Sequence, residues 1–140
     1  MEAFYTGLSE EVEKRRQAFE ASGLRVREFC AGQPPALVLI DDGDTFIELT
    51  KTKAAEMEKL IQRAMELGVT IITTTLGTRM RGYDTLTKIL KDAQAGVVLG
   101  NPGDQALLAV QPPRGYKAVQ DIGFWFKRGD VRQVKLPFVG

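Results

Sequence analysis

One short run limits the fold of this chain more than anything else in it. Ala36-Leu37-Val38-Leu39-Ile40 is apolar without alternation, follows Pro34-Pro35 and stops in Asp41-Asp42-Gly43-Asp44. Two prolines bar a helix through the approach. A short continuous aliphatic run bounded by turn residues reads as a strand buried on both faces. Strands of that kind belong to parallel sheets, whose crossover connections lay helices over both faces.

The flanking sequence supplies the crossovers. Ser9-Glu10-Glu11 reads as a helix start, with serine as N-cap and glutamates suited to the positive helix end, and Gly23 stops it. Residues 52–67 are the clearest helix, with Met57, Leu60, Ile61, Ala64 and Leu67 on one face and Gly68 at the C-terminal cap. Residues 69–74 form a second β-branched strand, residues 84–93 a short amphipathic helix and residues 97–99 a third strand. Asn101-Pro102 reads as an N-cap with proline at the first helical position. After Gln111-Pro112-Pro113 the tail offers β-rich pieces at 115–119, 124–127 and 131–137. Strand, helix, strand, helix, strand predicts an α/β fold: a mostly parallel sheet flanked by helices, closed by C-terminal antiparallel strands. With 140 residues, the expectation is one domain spanning 1–140.

Composition removes several chemistries. The chain has no histidine, which excludes Ser-His-Asp and Cys-His catalysis and nearly every catalytic zinc site. Cys30 is the only cysteine, so there is no intrachain disulfide and no cysteine metal cluster, and it reads as a small apolar side chain in a reducing compartment. The N-terminus shows no basic-then-apolar leader, so no signal peptide is expected. Residues 1–70 hold 9 Lys and Arg against 13 Asp and Glu, a net of −4, while residues 71–140 hold 10 against 5, a net of +5. A surplus that small predicts weak, salt-labile contact with nucleic acid at most.

The candidate site gathers where the strands end. In open parallel sheets ligands collect beyond the carboxyl ends of the strands. Asp41 and Asp42, directly after the first strand, resemble the acids of a Walker B strand, where a carboxylate holds Mg2+ and polarises water. The plainer reading has them end a strand and cap the next turn. Thr73-Thr74-Thr75 ends the second strand with Arg79 and Arg81 beyond it, so Thr74 and Arg79 are candidates for sensing a phosphate; β propensity alone also explains the threonines. None of the 14 glycines is followed by Lys-Ser or Lys-Thr, so the P-loop that would cradle phosphates is missing. Phe124-Trp125-Phe126 beside Lys127-Arg128 suits a stacking platform for nucleic acid or, more simply, a sheet core ending in a charged turn.

Taken in order, these pieces resemble the FtsK/SpoIIIE superfamily of membrane-anchored motor ATPases. The likeness rests on Glu13-Lys14-Arg15-Arg16 with Phe19, Leu37 through Asp42, Leu67-Gly68-Val69, Ile71-Ile72-Thr73-Thr74-Thr75, Leu99-Gly100 and Gly103-Asp104. It continues through Pro112-Pro113-Arg114-Gly115-Tyr116 and Val134-Lys135-Leu136-Pro137-Phe138. Within the superfamily the chain is most similar to the last, degenerate ATPase domain of the EssC-like type VII secretion motors of Gram-positive bacteria. DNA motors carry Asp-Glu where this chain has Asp41-Asp42, and glutamine with arginine-proline where it reads Thr74-Thr75-Leu76-Gly77. The resemblance implies a RecA-like fold whose P-loop segment is absent here, and ATP and Mg2+ as cofactors of the parent protein but not of this chain alone. It implies substrate engagement or coupling at the cytoplasmic face of the cell membrane, with other motor domains and small helical-hairpin secreted proteins as partners and DNA not among them. The alternatives are part of a DNA translocase and a non-enzymatic α/β interaction module. A RecA-like sheet normally runs its P-loop strand between residues 69–74 and 97–99. Those two strands are therefore expected to close on each other or to be completed by a neighbouring chain, leaving an apolar surface in either case.

Overall fold

The computed structural model describes residues 2–80, 82 and 84–136, and these divide into two compact units, Met1–Thr75 and Leu76–Gly140. The first unit contains α1 (Glu2–Ser22), α2 (Val26–Gly32), β1 (Ala36–Ile40), α3 (Gly43–Thr50), a 3-10 turn at Lys51–Lys53, α4 (Ala54–Glu66) and β2 (Val69–Thr73). The second contains α5 (Thr85–Ala93), β3 (Ala95–Leu99), a 3-10 turn at Pro102–Asp104, β4 (Ile122–Lys127) and β5 (Asp130–Lys135).

In the first unit β1 and β2 pair in parallel, from Ala36 opposite Val69 to Ile40 opposite Thr73. Helix α4 buries Met57, Leu60, Ile61 and Ala64 at the spacing read from the sequence and packs on β2 and α1. Each such side chain larger than alanine contributes roughly 1.5–3 kcal/mol relative to exposure. Gly68, with φ +82°, ends the helix, and its N–H reaches the Met65 carbonyl at 3.1 Å. Its missing side chain also admits Cys30, whose Sγ would lie 3.2 Å from an added Cβ. Helix α1 begins at Glu2 and not at Ser9. The earlier start has a packing reason: Leu8 is buried, and Phe4 meets Phe46 edge to face at 5.4 Å.

A buried arginine holds this unit together. Arg15 is 4% exposed. Its guanidinium donates to the Leu67 carbonyl at 3.1 Å, the Pro34 carbonyl at 2.7 Å and the Glu11 carboxylate at 2.7 Å. One side chain on α1 therefore satisfies the carbonyl that ends α4 and one that leads into β1.

Three expectations change in this unit. Asp41-Asp42-Gly43-Asp44 was expected as a turn, but α3 starts at Gly43, with Asp42 in its N-cap place in a left-handed conformation, φ 58°. Helix α2 carries no strong sequence signal and is fixed by tertiary packing: Phe29 is buried and meets Phe19 edge to face at 5.3 Å. The strands are not buried on both faces. Burial alternates along β1, with Leu37 and Leu39 56% and 67% exposed while Ile40 is buried.

The second unit is built on an antiparallel sheet of order β3-β4-β5. Residues 97–99 were expected as a third parallel strand; β3 instead pairs antiparallel with β4, Val98 opposite Phe124. Within the described residues the parallel sheet thus has two strands, and β2 and β3 belong to different sheets. Phe124 and Phe126 point to one side and form a core with Val98 and Val110, against which Leu108 and Tyr116 pack. Asp84 caps α5 by accepting from the Thr87 N–H at 2.9 Å and the Thr87 hydroxyl at 2.6 Å. Asn101 caps as expected, its side chain accepting from the Gly103 N–H at 3.2 Å, but the helix is a single 3-10 turn. Residues 115–119 form no strand, and Pro137 and Phe138 lie outside the described residues.

Candidate functional site

The carboxyl end of the β1–β2 pair is where side chains of opposite strands meet. Parallel pairing brings Ile40 level with Thr73, so the residues beyond them, Asp41 to Asp44 and Thr74 to Thr75, leave the sheet side by side. The backbone knits first: the Thr74 N–H donates to the Ile40 carbonyl at 3.0 Å, and the Gly43 N–H to the Thr74 carbonyl at 2.7 Å. Position 43 has no room for a side chain, since a Cβ there would stand 2.8 Å from the Thr73 hydroxyl.

Three threonine hydroxyls and three carboxylates then interlock. The Thr74 hydroxyl donates to the Asp41 carboxylate while its oxygen accepts the Asp42 N–H at 3.1 Å. The Thr45 hydroxyl donates to Asp42 at 2.7 Å and the Thr75 hydroxyl to Asp44 at 3.3 Å. Asp41, Asp42 and Thr74 are exposed, so the group faces solvent at the strand ends, where open α/β sheets bind ligands. Asp41, Asp42 and Thr74 are brought together at the strand ends. Gly43, Asp44, Thr45 and Thr75 complete the group without having been singled out. The usable signal was an aspartate, Asp42, directly before Gly43-Asp44-Thr45, a residue type favoured at the position before a helix.

Arg79 lies in the second unit, in a turn closed by its own N–H on the Leu76 carbonyl at 2.8 Å. Arg81 lies outside the described residues. The aromatic triplet splits across its strand: Phe124 and Phe126 are core, whereas Trp125 is half-buried on the other face with the Arg132 guanidinium 5.6 Å from its ring centre. Cys30 is half-buried, its thiol 3.6 Å from the Glu66 carbonyl.

ATP with Mg2+ asks for a phosphate cradle and open carboxylate oxygens. Each acid at the strand ends already accepts a threonine hydroxyl, and among the described residues no three acidic or thiol groups converge as a metal site would need. This 140-residue sequence has no Gly-Lys-Ser/Thr loop. Among the described residues no helix is long and apolar enough to cross a membrane.

At the level of sequence, no family model and no curated protein matches the chain. Solved structures do. ATPases 2 and 3 of EssC from Geobacillus thermodenitrificans match over 98% of this chain with a TM-score of 0.75 at 15% identity. The cytoplasmic domain of EssC matches over 98% with a TM-score of 0.68 at 16% identity. The chain spans 26% of the length of each. At such identities the likeness concerns architecture, and the chain's fold is similar to that found in the ATPase domains of EssC.

Proposed function

We propose that this chain is an ATPase-like module of a type VII secretion motor of the FtsK/SpoIIIE superfamily, acting in substrate engagement or coupling and not in ATP turnover by itself. The observation that supports this most is the fold likeness to EssC ATPase domains along 98% of the chain. The placement of Asp41 and Asp42 beyond β1, bonded through Thr74 to the end of β2, agrees with it.

In this reading ATP and Mg2+ belong to the complete motor. Asp41 is assigned to the Mg2+ side of that site and Asp42 stands beside it. Thr74 and Arg79 are assigned to the nucleotide phosphates, and the glycine-rich cradle comes from residues outside this chain. The proposed partners are the other domains and subunits of the motor and small helical-hairpin secreted proteins. The proposed location is the cytoplasmic face of the cell membrane, without insertion of this segment. Duplex DNA is not a partner: a net of +5 over the basic half supports only weak binding that falls steeply with salt.

The test is a phosphate-release assay on the purified chain with Mg2+ and ATP. No turnover above background is expected, and Asp41→Ala should leave that background unchanged. Magnesium-dependent hydrolysis that Asp41→Ala abolishes would overturn the reading. A tight, salt-resistant complex with duplex DNA would favour a translocase instead.

A further inference from the structure

The exposed side of the β1–β2 pair carries one stripe drawn from both strands. Leu37 stands beside Thr70 and Leu39 beside Ile72. Leu37, Leu39 and Ile72 are 56%, 67% and 48% exposed. The next residues in the same alternation are Asp41 and Thr74, both exposed and bonded to each other. An apolar stripe thus runs straight into a carboxylate, and every residue of it belongs to the first unit. Contiguous exposed apolar surface marks an interaction site. Purely parallel sheets, moreover, occur almost only with helices over both faces.

Charge and spacing narrow the occupant. Residues 34–50 hold four acidic and no basic side chains, and residues 67–78 hold neither kind. Among the described residues the Asp41 and Asp42 carboxylates accept from the neutral hydroxyls of Thr74 and Thr45, and neither takes part in an ion pair. Their charge is therefore open at the end of the stripe, where a cation or the positive end of a helix is favoured. At about 3.3 Å per residue, Leu39 lies about 6.6 Å and Asp41 about 13 Å along the strand direction from Leu37. Helix residues four and eight apart are separated by about 6 and 12 Å, which fits that stripe.

We infer that this face binds an amphipathic helix of a partner protein, running antiparallel to β1 with its N-terminal end at Asp41. Such a helix carries a lysine or arginine in its first turn and apolar side chains four and eight residues further on. The basic group meets the Asp41 carboxylate, and the apolar ones cover Leu39, Ile72 and Leu37. The positive end of the helix lies at Asp41 and Asp42, which adds to the attraction. This inference goes beyond the proposed motor function and does not rest on it, so its test uses the chain alone, without ATP or Mg2+.

Isothermal titration tests it with a capped, alanine-rich synthetic helix of about 18 residues. The peptide has one arginine in its first turn and leucines four, eight and eleven residues later. One peptide should bind per chain, and β1 and β2 should gain protection from hydrogen exchange. Leu39→Lys should reduce binding below detection. Asp41→Asn should weaken it about threefold to fivefold, as loss of an exposed ion pair does. A peptide with glutamine in place of the arginine should bind wild type and Asp41→Asn equally, which ties the arginine to Asp41. Far-UV circular dichroism checks the fold; should Leu39→Lys lose it, Leu37→Ser takes its place, with a loss on the order of tenfold. No saturable binding, binding that Leu39→Lys leaves intact, or an arginine peptide that does not distinguish Asp41→Asn from wild type overturns the inference. A chain that sediments as a dimer and that Leu39→Lys makes monomeric would give the face to a second copy and overturn it as well.

Discussion

The two units solve the same problem with different means. In the first, helix α4 packs on β2 of a two-stranded parallel sheet and α1 packs on α4, and the joints are made by side chains reaching backbone: Arg15 to Leu67 and Pro34, Thr74 to Asp42. In the second, one α-helix accompanies a three-stranded antiparallel sheet, and order comes from strand pairing and an aromatic core of Phe124, Phe126 and Tyr116. Adjacent antiparallel strands can close through a tight turn, as β4 and β5 do around Arg128 and Gly129, so that hairpin assembles from chain neighbours. Parallel strands need a long crossover, and β1 meets β2 only after α3 and α4 intervene. A parallel pair therefore depends on the packing of its crossover helix in a way that a hairpin does not.

Phe126→Ala should have the largest effect. Phe126 is 2% exposed at the centre of the second core, and truncation should cost about 3–5 kcal/mol. Hydrogen exchange should show β3, β4 and β5 losing protection while α1 and α4 keep theirs; equal loss in both units would break the distinction between them. Arg15→Met comes next, at about 2–4 kcal/mol in urea denaturation, because two carbonyls lose their partner in the packed interior of the first unit. Here α4 and β1 should lose protection and the antiparallel sheet should not. Asp84→Ala removes the cap of α5 and should cost about 1 kcal/mol, read as a lower thermal midpoint.

The smallest effect is a pH dependence on the surface of α1. Hydrogen bonds from Arg16 and Gln17 lower the Glu13 carboxyl from 4.5 to about 2. A carboxylate depressed in the folded state stabilises above its unfolded value and loses that contribution as pH falls through the folded one. The helical signal should therefore decline slightly between pH 4.5 and 2, and Glu13→Gln should flatten the change. High salt should shrink the difference as well, because Glu13 and Arg16 are exposed.

Features written in local chemistry were legible in the sequence. Pro34-Pro35 and the aliphatic run after it place β1, helical spacing places α4, Gly68 ends it, and Asp84 starts α5. Features fixed by distant partners were not. Arg15 sits in a run of charges and nothing local separates it from Arg16, yet one is buried and the other lies on the surface. The direction of β3 depends on β4, more than twenty residues on, and a run of valine and leucine is the same text in either orientation. An unalternating strand states that both faces are apolar, but not that both are covered, as Leu37 and Leu39 make plain. At the candidate site the acids and Thr74 could be named one by one. Their bonding to each other follows from the pairing of β1 with β2, which no single segment encodes.

The reach of Arg15 carries a kinetic consequence. Its bond to the Leu67 carbonyl spans 52 residues of chain, so it forms only after α1, α4 and the start of β1 have come together. Contacts of that separation tend to be completed late, once loop closure is already paid for by burial elsewhere. The guanidinium then acts as a bolt shot after the door has closed. Interactions absent from the transition state leave the folding rate nearly unchanged and set the rate of escape from the native state. Arg15→Met is therefore expected to speed unfolding of the first unit more than it slows folding, which the two arms of a urea chevron would read.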